Sequence, residues 1–501
     1  MKKIFLILYF LFFGFFTLFS ANIIHLTLED ALMMARKQSL QSFLNKHYYM
    51  ADYWAYRSYR ANLLPSVSLQ AFPLTYTNAS ILRYNSVTQT DEFIRSEYLA
   101  SDMNLSVSQN LSATGGTFFV QSALDRIENF GANSFTQYSS VPFRIGYRQE
   151  LFGFNPMKWQ RRIEPLKFEK AKKEYLESTE QMYISAVRYF FAMARAVMQR
   201  EIANSNLENT RNLLQIAQNR FDLGTVTREE LLDLRLSHNN AAIALQEAML
   251  EYRETRESLL NFLMLPIDAE IEIELPQNVP VSEVDLHLVL QNALDNNPEI
   301  LQMEQRILEN QRNVEQAKTA RHFRADINLT YGISKDDGDL LQSGHFGNVY
   351  SPDFNNHQRF SVGINIPILD WGRNKGQYEI AVSQQNIAEI AVRQTLQQFE
   401  QNAVTSAVAF NIQKSRVESA ALSDTLASES LELTMARFRS GQVNVLQLTS
   451  SQAARDRARL QYIDALTGYW VSYYYLRRLT LFDFENNRKL EFNEAELLGG
   501  K

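Results

Sequence analysis

The sequence contains no cysteine among its 501 residues, and it has only 18 glycines and 11 prolines. The missing cysteine excludes disulfides, thiol catalysis, iron–sulfur and cysteine–zinc sites, and a lipid-modified N-terminal cysteine. Few glycines and prolines beside 45% hydrophobic residues exclude a disordered or collagen-like chain. A formal charge of −6 offers no basic surface for nucleic acid. We therefore predict a folded chain that does not bind nucleic acid.

Long apolar runs are absent after the first twenty residues. Residues 1–3 give a positive start, residues 4–19 are apolar, and Ser20 with Ala21 supplies small residues for a cleavage site. The run is shorter than the roughly twenty residues of a membrane-spanning helix, so we predict a signal peptide over 1–20 rather than an anchor. Further membrane contact would have to come from strands or from the surface.

Catalytic and metal-binding patterns are missing as well. The seven histidines do not fall at metal-ligand spacing, and no GxSxG, Walker or dinucleotide-binding motif accompanies them. We therefore predict no catalytic residue, no cofactor-binding residue, no metal site and no cofactor. The chain is not expected to be an enzyme.

What the sequence does contain is an internal repeat. The segment 219–227 (NRFDLGTVT) recurs at 436–444 (ARFRSGQVN), and 143–155 aligns with 360–372 at the same offset of 217 positions. Upstream of this block the first copy carries about 43 additional residues. We predict an internal tandem duplication with five parts. These are a signal peptide (1–20), a first repeat (21–264), a linker (265–284), a second repeat (285–480) and a C-terminal tail (481–501).

Each repeat contains a long helical rod. Residues 156–219 hold one proline near their start and no glycine, and their counterpart runs over about 373–438. At 1.5 Å per residue the first rod would be roughly 95 Å long, and such helices persist only by packing side by side. A further uninterrupted helix is predicted from Thr27 to Arg60, because neither glycine nor proline occurs there.

Each rod ends in a glycine turn. Gly224 and Gly441 suit the left-handed conformation that closes a helix. Arg220 and Arg437 lie in the last turn, where a cation interacts favourably with the helix dipole. We therefore predict tip turns near 224 and 441, each reversing the chain.

A capping pattern follows each turn. Thr227 and Glu230 form the spacing of a capping box in the first copy, and Asn444 and Gln447 do so in the second. Each copy is therefore expected to be a tight antiparallel helical hairpin.

The segments between the helices alternate apolar and small polar residues. The pattern occurs over 103–111, 141–147, 327–333 and 360–368. Strands of about ten residues with one apolar face are typical of a transmembrane β-barrel, but the alternation alone fits a half-buried soluble sheet equally well. The export signal, aromatic residues at strand ends and unequal loops favour the barrel. The turn at 114–116 is short, whereas long loops are predicted over 73–100 and 335–358.

The number of strands bears on assembly. Two to four strands are predicted over about 66–152 and two over about 326–369, which gives four or six if all helices lie on one side of a membrane. About eight strands are the smallest number that closes a barrel around packed side chains. We therefore expect oligomerisation to complete the barrel.

Taken together, these residues resemble the TolC family of outer membrane efflux proteins. The resemblance covers about 25–480 and rests on LTLEDALMMARKQS near the start, the RFxxG turns at 220–224 and 437–441, FNPMKWQRRIEPLKFEKA, and the tandem repeat. It implies an α+β membrane protein, with long antiparallel α-helical hairpins in a periplasmic α-barrel and a transmembrane β-barrel completed by trimerisation. It also implies that the linker 265–284 is an equatorial linker, in a belt that it shares with the C-terminal tail. Ala325 departs from the pattern, because the family has proline where the strand of the second copy begins.

The resemblance also implies partners and sites. A periplasmic adaptor, or membrane fusion protein, would dock at the tips, and acidic residues would line a pore constriction. Glu230 and Asp233 match the constriction positions, although Glu230 could serve only its capping box and Asp233 could simply be solvated. A role in the helix dipole likewise competes with docking for the two arginines. The implied docking residues are Arg220, Phe221, Gly224, Arg437, Phe438 and Gly441.

The function implied by the resemblance is passive export. The homotrimer would be the outer-membrane exit channel of a tripartite efflux or type I secretion system in a Gram-negative bacterium, with a large periplasmic part. Outer membrane lipid would surround it, and an inner-membrane transporter of the RND or ABC type would supply energy. Small molecules such as drugs and other toxic solutes, or proteins, would be exported. The alternative is an exported coiled-coil structural or adhesin trimer without transport activity.

Overall fold

The computed structural model describes residues 23–131, 134–276, 278–281, 283–336, 354–440 and 442–498. The predicted signal peptide, Gly441 and most of the predicted loop between Lys335 and Gln358 lie outside these residues. The chain divides into two compact units. The helical unit comprises the described residues within 1–50, 171–300 and 395–501, and the sheet unit comprises those within 51–170 and 301–394.

Most of the described chain is helical. None of the helices in this part of the chain combines the length and hydropathy of a membrane span. The helices are α1 (Leu28–Gln38), α2 (Leu40–Ala61), α3 (Pro156–Asp222), α4 (Arg228–Leu263), α5 (Leu286–Asn296), α6 (Pro298–Thr319), α7 (Arg373–Asn411), α8 (Gln413–Arg439), α9 (Val445–Thr480) and α10 (Glu494–Leu498).

The strands form one large sheet and two small ones. The strands are β1 (Ile23–Leu26), β2 (Ser66–Asn85), β3 (Thr90–Leu111), β4 (Gly116–Asn129), β5 (Phe135–Leu151), β6 (Glu270–Ile273), β7 (Arg324–Asp336), β8 (Asn355–Asn365), β9 (Phe482–Asp483) and β10 (Arg488–Lys489). β1 pairs in parallel with β6, which lies in the predicted linker, and β9 pairs with β10 in the tail.

The helix predicted from Thr27 to Arg60 is interrupted at Ser39. The backbone of Ser39 is extended, with ψ 147°, and its Oγ accepts a hydrogen bond of 3.1 Å from the N–H of Ser42. A serine hydroxyl that satisfies a free N–H at a helix start favours a new helix at this point. The prediction of one uninterrupted helix was therefore wrong, because it considered only glycine and proline as breakers.

The rod of the second repeat is also interrupted, with Ile412 between α7 and α8. The side chain of the neighbouring Asn411 accepts a hydrogen bond of 2.9 Å from the N–H of Val284 and donates one of 3.0 Å to its carbonyl. The side-chain amide of Asn411 thus binds both backbone groups of Val284, as a neighbouring β-strand would, and holds the predicted linker against the rod.

Aromatic residues of α9 form much of the core of the helical unit. Tyr469 and Tyr473 are buried together with Phe410 and Phe190. The hydroxyl of Tyr469 donates to the carbonyl of Val281 and accepts from its N–H, both at 2.9 Å. Burial raises the pKa of Tyr469 to about 12. The C-terminal end of the predicted linker is therefore held at two points, by Asn411 at Val284 and by Tyr469 at Val281.

A buried ion network lies in the same unit. Arg477 donates two hydrogen bonds of 3.0 Å to the carboxylate of Glu180, and it lies 3.4 Å from Asp483. Glu180 is 2% exposed. The hydroxyl of Tyr473 donates to Asp483 at 3.2 Å. The network thus joins α3 of the first repeat to α9 and to the tail.

The sheet unit contains an antiparallel sheet with the order β2-β3-β4-β5-β7-β8. Four of its strands lie in the predicted first repeat and two in the predicted second repeat. Of the two predicted strand numbers, six is therefore the one found in the described residues.

The two faces of this sheet differ in polarity. Opposite residues of an antiparallel pair share a face, and the register places Val107, Val120, Ile145 and Tyr331 in one row. The other face is polar. Its clearest pair is Ser68 with Ser106, whose hydroxyls are 2.8 Å apart. The alternation predicted from the sequence is thus present.

Three details of the strands differ from the prediction. Val141 lines the polar face of the sheet. The pairing of β5 shifts by one residue between 140 and 143, and this β-bulge reverses which face the alternate side chains occupy. β8 ends at Asn365, so Ile366 and Ile368 lie beyond it, where Pro367 lacks an N–H for a ladder. The predicted long loop from 73 to 100 is mostly strand, because β2 and β3 continue as a hairpin.

Candidate functional site

The first tip turn has the predicted glycine geometry. Gly224 has φ 75°, and its N–H donates to the carbonyl of Phe221 at 2.9 Å. The N–H of Thr225 donates to the carbonyl of Arg220 at 2.9 Å. No neighbouring atom lies within 4 Å of where a Cβ would be, so the left-handed backbone alone favours glycine here.

The second tip turn shows the same bond pattern in its described residues. The N–H of Gln442 donates to the carbonyl of Arg437 at 2.9 Å, as Thr225 does to Arg220. Gly441 lies outside the described residues, so its part in the turn stays a prediction.

A cap starts each of the following helices. Thr227 Oγ1 accepts from the N–H of Glu230, and the N–H of Thr227 donates to Glu230 Oε2, both at 3.2 Å. At the second turn, Asn444 Oδ1 accepts from the N–H of Gln447 at 2.9 Å. The predicted capping box is therefore complete in the first copy, and the carboxylate of Glu230 is engaged in it.

An apolar cluster packs the two hairpins together near the tips. Phe438 belongs to this cluster and is 8% exposed, whereas the matching Phe221 is 37% exposed. The two phenylalanines of the repeated motif therefore have different environments. The buried members of the cluster are Leu213, Ala217, Leu231, Leu234, Leu431, Phe438 and Leu448.

The two tip arginines also differ. Arg220 Nη2 donates a hydrogen bond of 3.3 Å to the carbonyl of Arg439. Arg439 is the last residue of α8. A cation at this position satisfies a carbonyl at a helix end and interacts favourably with the dipole. Arg437 is exposed. The first arginine thus connects the hairpins, and the second faces solvent.

A cavity of about 460 Å³ opens between the two turns. Arg220, Thr225 and Glu230 line it from the first hairpin, and Gln442 and Gln447 line it from the second. Asp233 does not line this cavity; it is exposed one helical turn further along α4. The structure therefore brings Glu230 together with Arg220 and leaves Asp233 on the outer surface of the single chain.

A polar layer crosses the interior of the hairpins further from the tips. Asn206 of α3 donates to Asp456 at 2.7 Å and accepts a short hydrogen bond from Gln452. Burial raises the pKa of Asp456, although Asn206 and nearby arginines oppose the shift. In the same region, His238 Nδ1 lies 3.5 Å from Thr210 Oγ1. No group of three metal-ligating side chains occurs in the part of the chain that the structure describes.

Two tip residues were not singled out from the sequence. Leu223 and Leu446 are 78% and 75% exposed beside the two turns. Leucines at such positions contribute nothing to the core and are suited to a partner surface. The sequence signal is an apolar residue in the polar turn for Leu223 and one at the start of the following helix for Leu446.

Comparison with known proteins finds a family match over most of the predicted second repeat. Residues 289–480 match the family model of the outer membrane efflux proteins. This part of the chain is similar to the members of that family. The resemblance to TolC-family proteins inferred from the sequence is therefore confirmed. No curated protein matches the chain significantly.

Solved structures of membrane proteins share the fold of this chain over almost its whole length. The CmeC outer membrane channel of Campylobacter jejuni is 14% identical with a TM-score of 0.64, covering 94% of this chain and 88% of that one. The outer membrane protein VceC of Vibrio cholerae is 13% identical with a TM-score of 0.61, and the match covers 93% of this chain and 97% of that one. A membrane protein from Pseudomonas aeruginosa is 16% identical with a TM-score of 0.63, covering 94% of each chain.

Proposed function

We propose that this chain is the protomer of an outer-membrane exit channel in a tripartite efflux or type I secretion system. It would be a passive export conduit for small molecules, such as drugs and other toxic solutes, or for proteins. The observation that carries the proposal is the exposed apolar face of the sheet. Leu69, Phe360 and Ile364 are 62%, 69% and 65% exposed on this face. Such a surface is costly in water and is expected where strands contact lipid.

The edges of the sheet support a trimer. In the described sheet, β2 and β8 each have a partner on one side. Unpaired edges cannot face lipid, because the backbone groups would lack hydrogen-bond partners. Six strands are fewer than the roughly eight of the smallest packed barrel, whereas three copies would give a barrel wide enough for an aqueous channel. A homotrimer in the outer membrane of a Gram-negative bacterium, with a large periplasmic part, meets both requirements.

The tips are the proposed docking surface for a periplasmic adaptor. Phe221 and Arg437 are exposed there, and the two turns lie side by side around one cavity. An inner-membrane transporter of the RND or ABC type would act through this adaptor. The tandem duplication is part of the proposal, since it supplies two similar hairpins to one docking surface.

Photo-crosslinking tests the docking role. A photoreactive side chain at Thr225 or at Gln442, both exposed, is expected to capture an adaptor in intact cells. The matched control is the same probe at the exposed Asp268, beyond the opposite end of α4, where capture is expected to be much weaker. The experiment is read by identifying the captured protein. Capture of other copies of this chain alone would contradict the conduit and favour the exported structural trimer.

Asp233 and Glu230 are the proposed constriction of the channel. Rings of carboxylates at a narrow point favour cations, so Asp233→Asn is expected to lower the ratio of potassium to chloride permeability in planar bilayers. Glu230→Gln is expected to act more weakly, because part of its role is the cap. The control Asp268→Asn removes the same charge far from the tip. An unchanged permeability ratio in Asp233→Asn would remove this residue from the constriction.

A further inference from the structure

The polar face of the sheet contains a cavity of about 780 Å³ that carries three arginines. Arg144 and Arg148 come from β5, and Arg359 comes from β8. All three are exposed. The remaining polar lining is mainly uncharged, with Asp125 as the carboxylate among the described lining residues. The cavity therefore has an excess of positive charge.

The strand register brings these arginines close together. Arg144 pairs with Gly332, Arg148 with Asn328, and Arg359 with Thr330, so the row of Arg359 lies between the rows of the other two. One strand separates β5 from β8. With strands about 4.8 Å apart and rows about 6.8 Å apart, the Cα of Arg359 lies about 12 Å from those of Arg144 and Arg148. Guanidinium groups on long side chains can converge on one ligand across this distance.

In the part of the chain that the structure describes, these three arginines have no ion-pair partner. Elsewhere in the sheet, Arg126 lies within ion-pair distance of Glu128, and Arg324 lies 3.7 Å from Glu150. Arg144, Arg148 and Arg359 have no carboxylate within 4.0 Å among the described residues. Unpaired guanidinium groups lining a concave surface raise the local concentration of anions, and their planar donors fit carboxylate and phosphate oxygens.

An aromatic ring lies among the arginines. Phe119 faces the cavity in the same row as Gly146 and Arg359, and it is half-buried. A Cβ at Gly146 would collide with the Phe119 ring, so the glycine lets the ring lie against the sheet. The cavity therefore offers an apolar surface beside positive charge, which is complementary to an organic anion rather than to a small inorganic ion.

We propose that this cavity is a binding site for organic anions, in which Arg144, Arg148 and Arg359 contact the anionic group and Phe119 contacts the apolar body. The inference rests on the proposed function, in which the polar face lines the export channel, and it adds a solute class to it. Anionic solutes would be retained briefly near the exit and favoured over cations at this level of the channel.

The test is binding of hydroxypyrene trisulfonate, a fluorescent trianion with an aromatic body, to the purified full chain in uncharged detergent. Fluorescence anisotropy is expected to show saturable binding that weakens with salt. Binding to the variant Arg144→Gln/Arg148→Gln/Arg359→Gln is expected to be at least about tenfold weaker, because three charge pairs are removed. The corresponding lysine variant, which keeps the charges, is expected to retain much of the binding. In planar bilayers the glutamine variant is also expected to lower the ratio of chloride to potassium permeability.

Arg126→Gln is the matched control, since it removes an arginine of the same sheet that is paired with Glu128 and absent from the cavity. Unchanged binding in the triple glutamine variant, or equal loss in the control, would overturn the anion site. Arg359→Gln alone provides the comparison if the triple variant does not assemble. Dye binding requires neither an open tip nor an adaptor. A failure of the site is therefore distinguishable from a failure of the conduit, which the crosslinking experiment reads separately.

Discussion

Replacing Arg477 by leucine is expected to lower the free energy of unfolding of the helical unit by about 3–5 kcal/mol. The substitution leaves the carboxylate of Glu180, which is 2% exposed, without its two hydrogen bonds. It also removes the cation next to Asp483. A charge left unpaired in an apolar interior is strongly unfavourable, and this network ties α3 to α9 and to the tail. The measurement is denaturant unfolding of the purified chain followed by far-ultraviolet circular dichroism.

Two comparison variants separate the unpaired charge from other effects. Arg195→Leu removes a half-exposed arginine 3.5 Å from Glu251 and 3.3 Å from Asp464, and it is expected to cost at most about 1 kcal/mol. The double variant Glu180→Leu/Arg477→Leu is expected to recover much of the stability, because no buried charge is left alone. If Arg477→Leu is as stable as the double variant, the unpaired carboxylate of Glu180 is not the cause of the lost stability.

Interactions that are local in sequence were the ones that could be predicted. The capping box of Thr227 and Glu230 and the turn at Gly224 involve residues a few positions apart, so their chemistry can be read directly. The contact between Glu180 and Arg477 joins residues 297 positions apart, and neither residue carries a local sign of it. The break at Ser39 was missed for another reason, because a serine within a helical pattern is ambiguous until its hydroxyl has a partner.

The sheet shows the same division. Alternation in 103–111 correctly predicted which side chains share a face, since the period of a strand is two. It could not predict the bulge that places Val141 on the polar face, because the bulge depends on pairing with β4 and β7. The arginines of the proposed anion site lie on two strands more than 200 positions apart in sequence. Their proximity appears only when the strand order is known.

The repeated RFxxG motif is expected to have divided roles, with stability in one copy and docking in the other. Phe438 is 8% exposed in the apolar cluster, so Phe438→Ala should lower the free energy of unfolding by about 3–5 kcal/mol. Phe221 is 37% exposed, and Phe221→Ala should cost less than about 1 kcal/mol. Denaturant unfolding of the two purified variants measures this difference. The two variants are controls for each other, because the chemical change is identical and only the environment differs.

The same pair of variants connects the fold to the proposed docking surface. Phe221→Ala is expected to reduce crosslinking of an adaptor from Thr225 while the protein stays folded, because an exposed aromatic side chain at an interface contributes through desolvation. Phe438→Ala is expected to reduce crosslinking only as far as it lowers the amount of folded protein. If Phe221→Ala destabilises the chain as much as Phe438→Ala does, the exposed phenylalanine belongs to the packing of the tip, and the docking surface must be sought at other exposed residues such as Leu223 and Leu446.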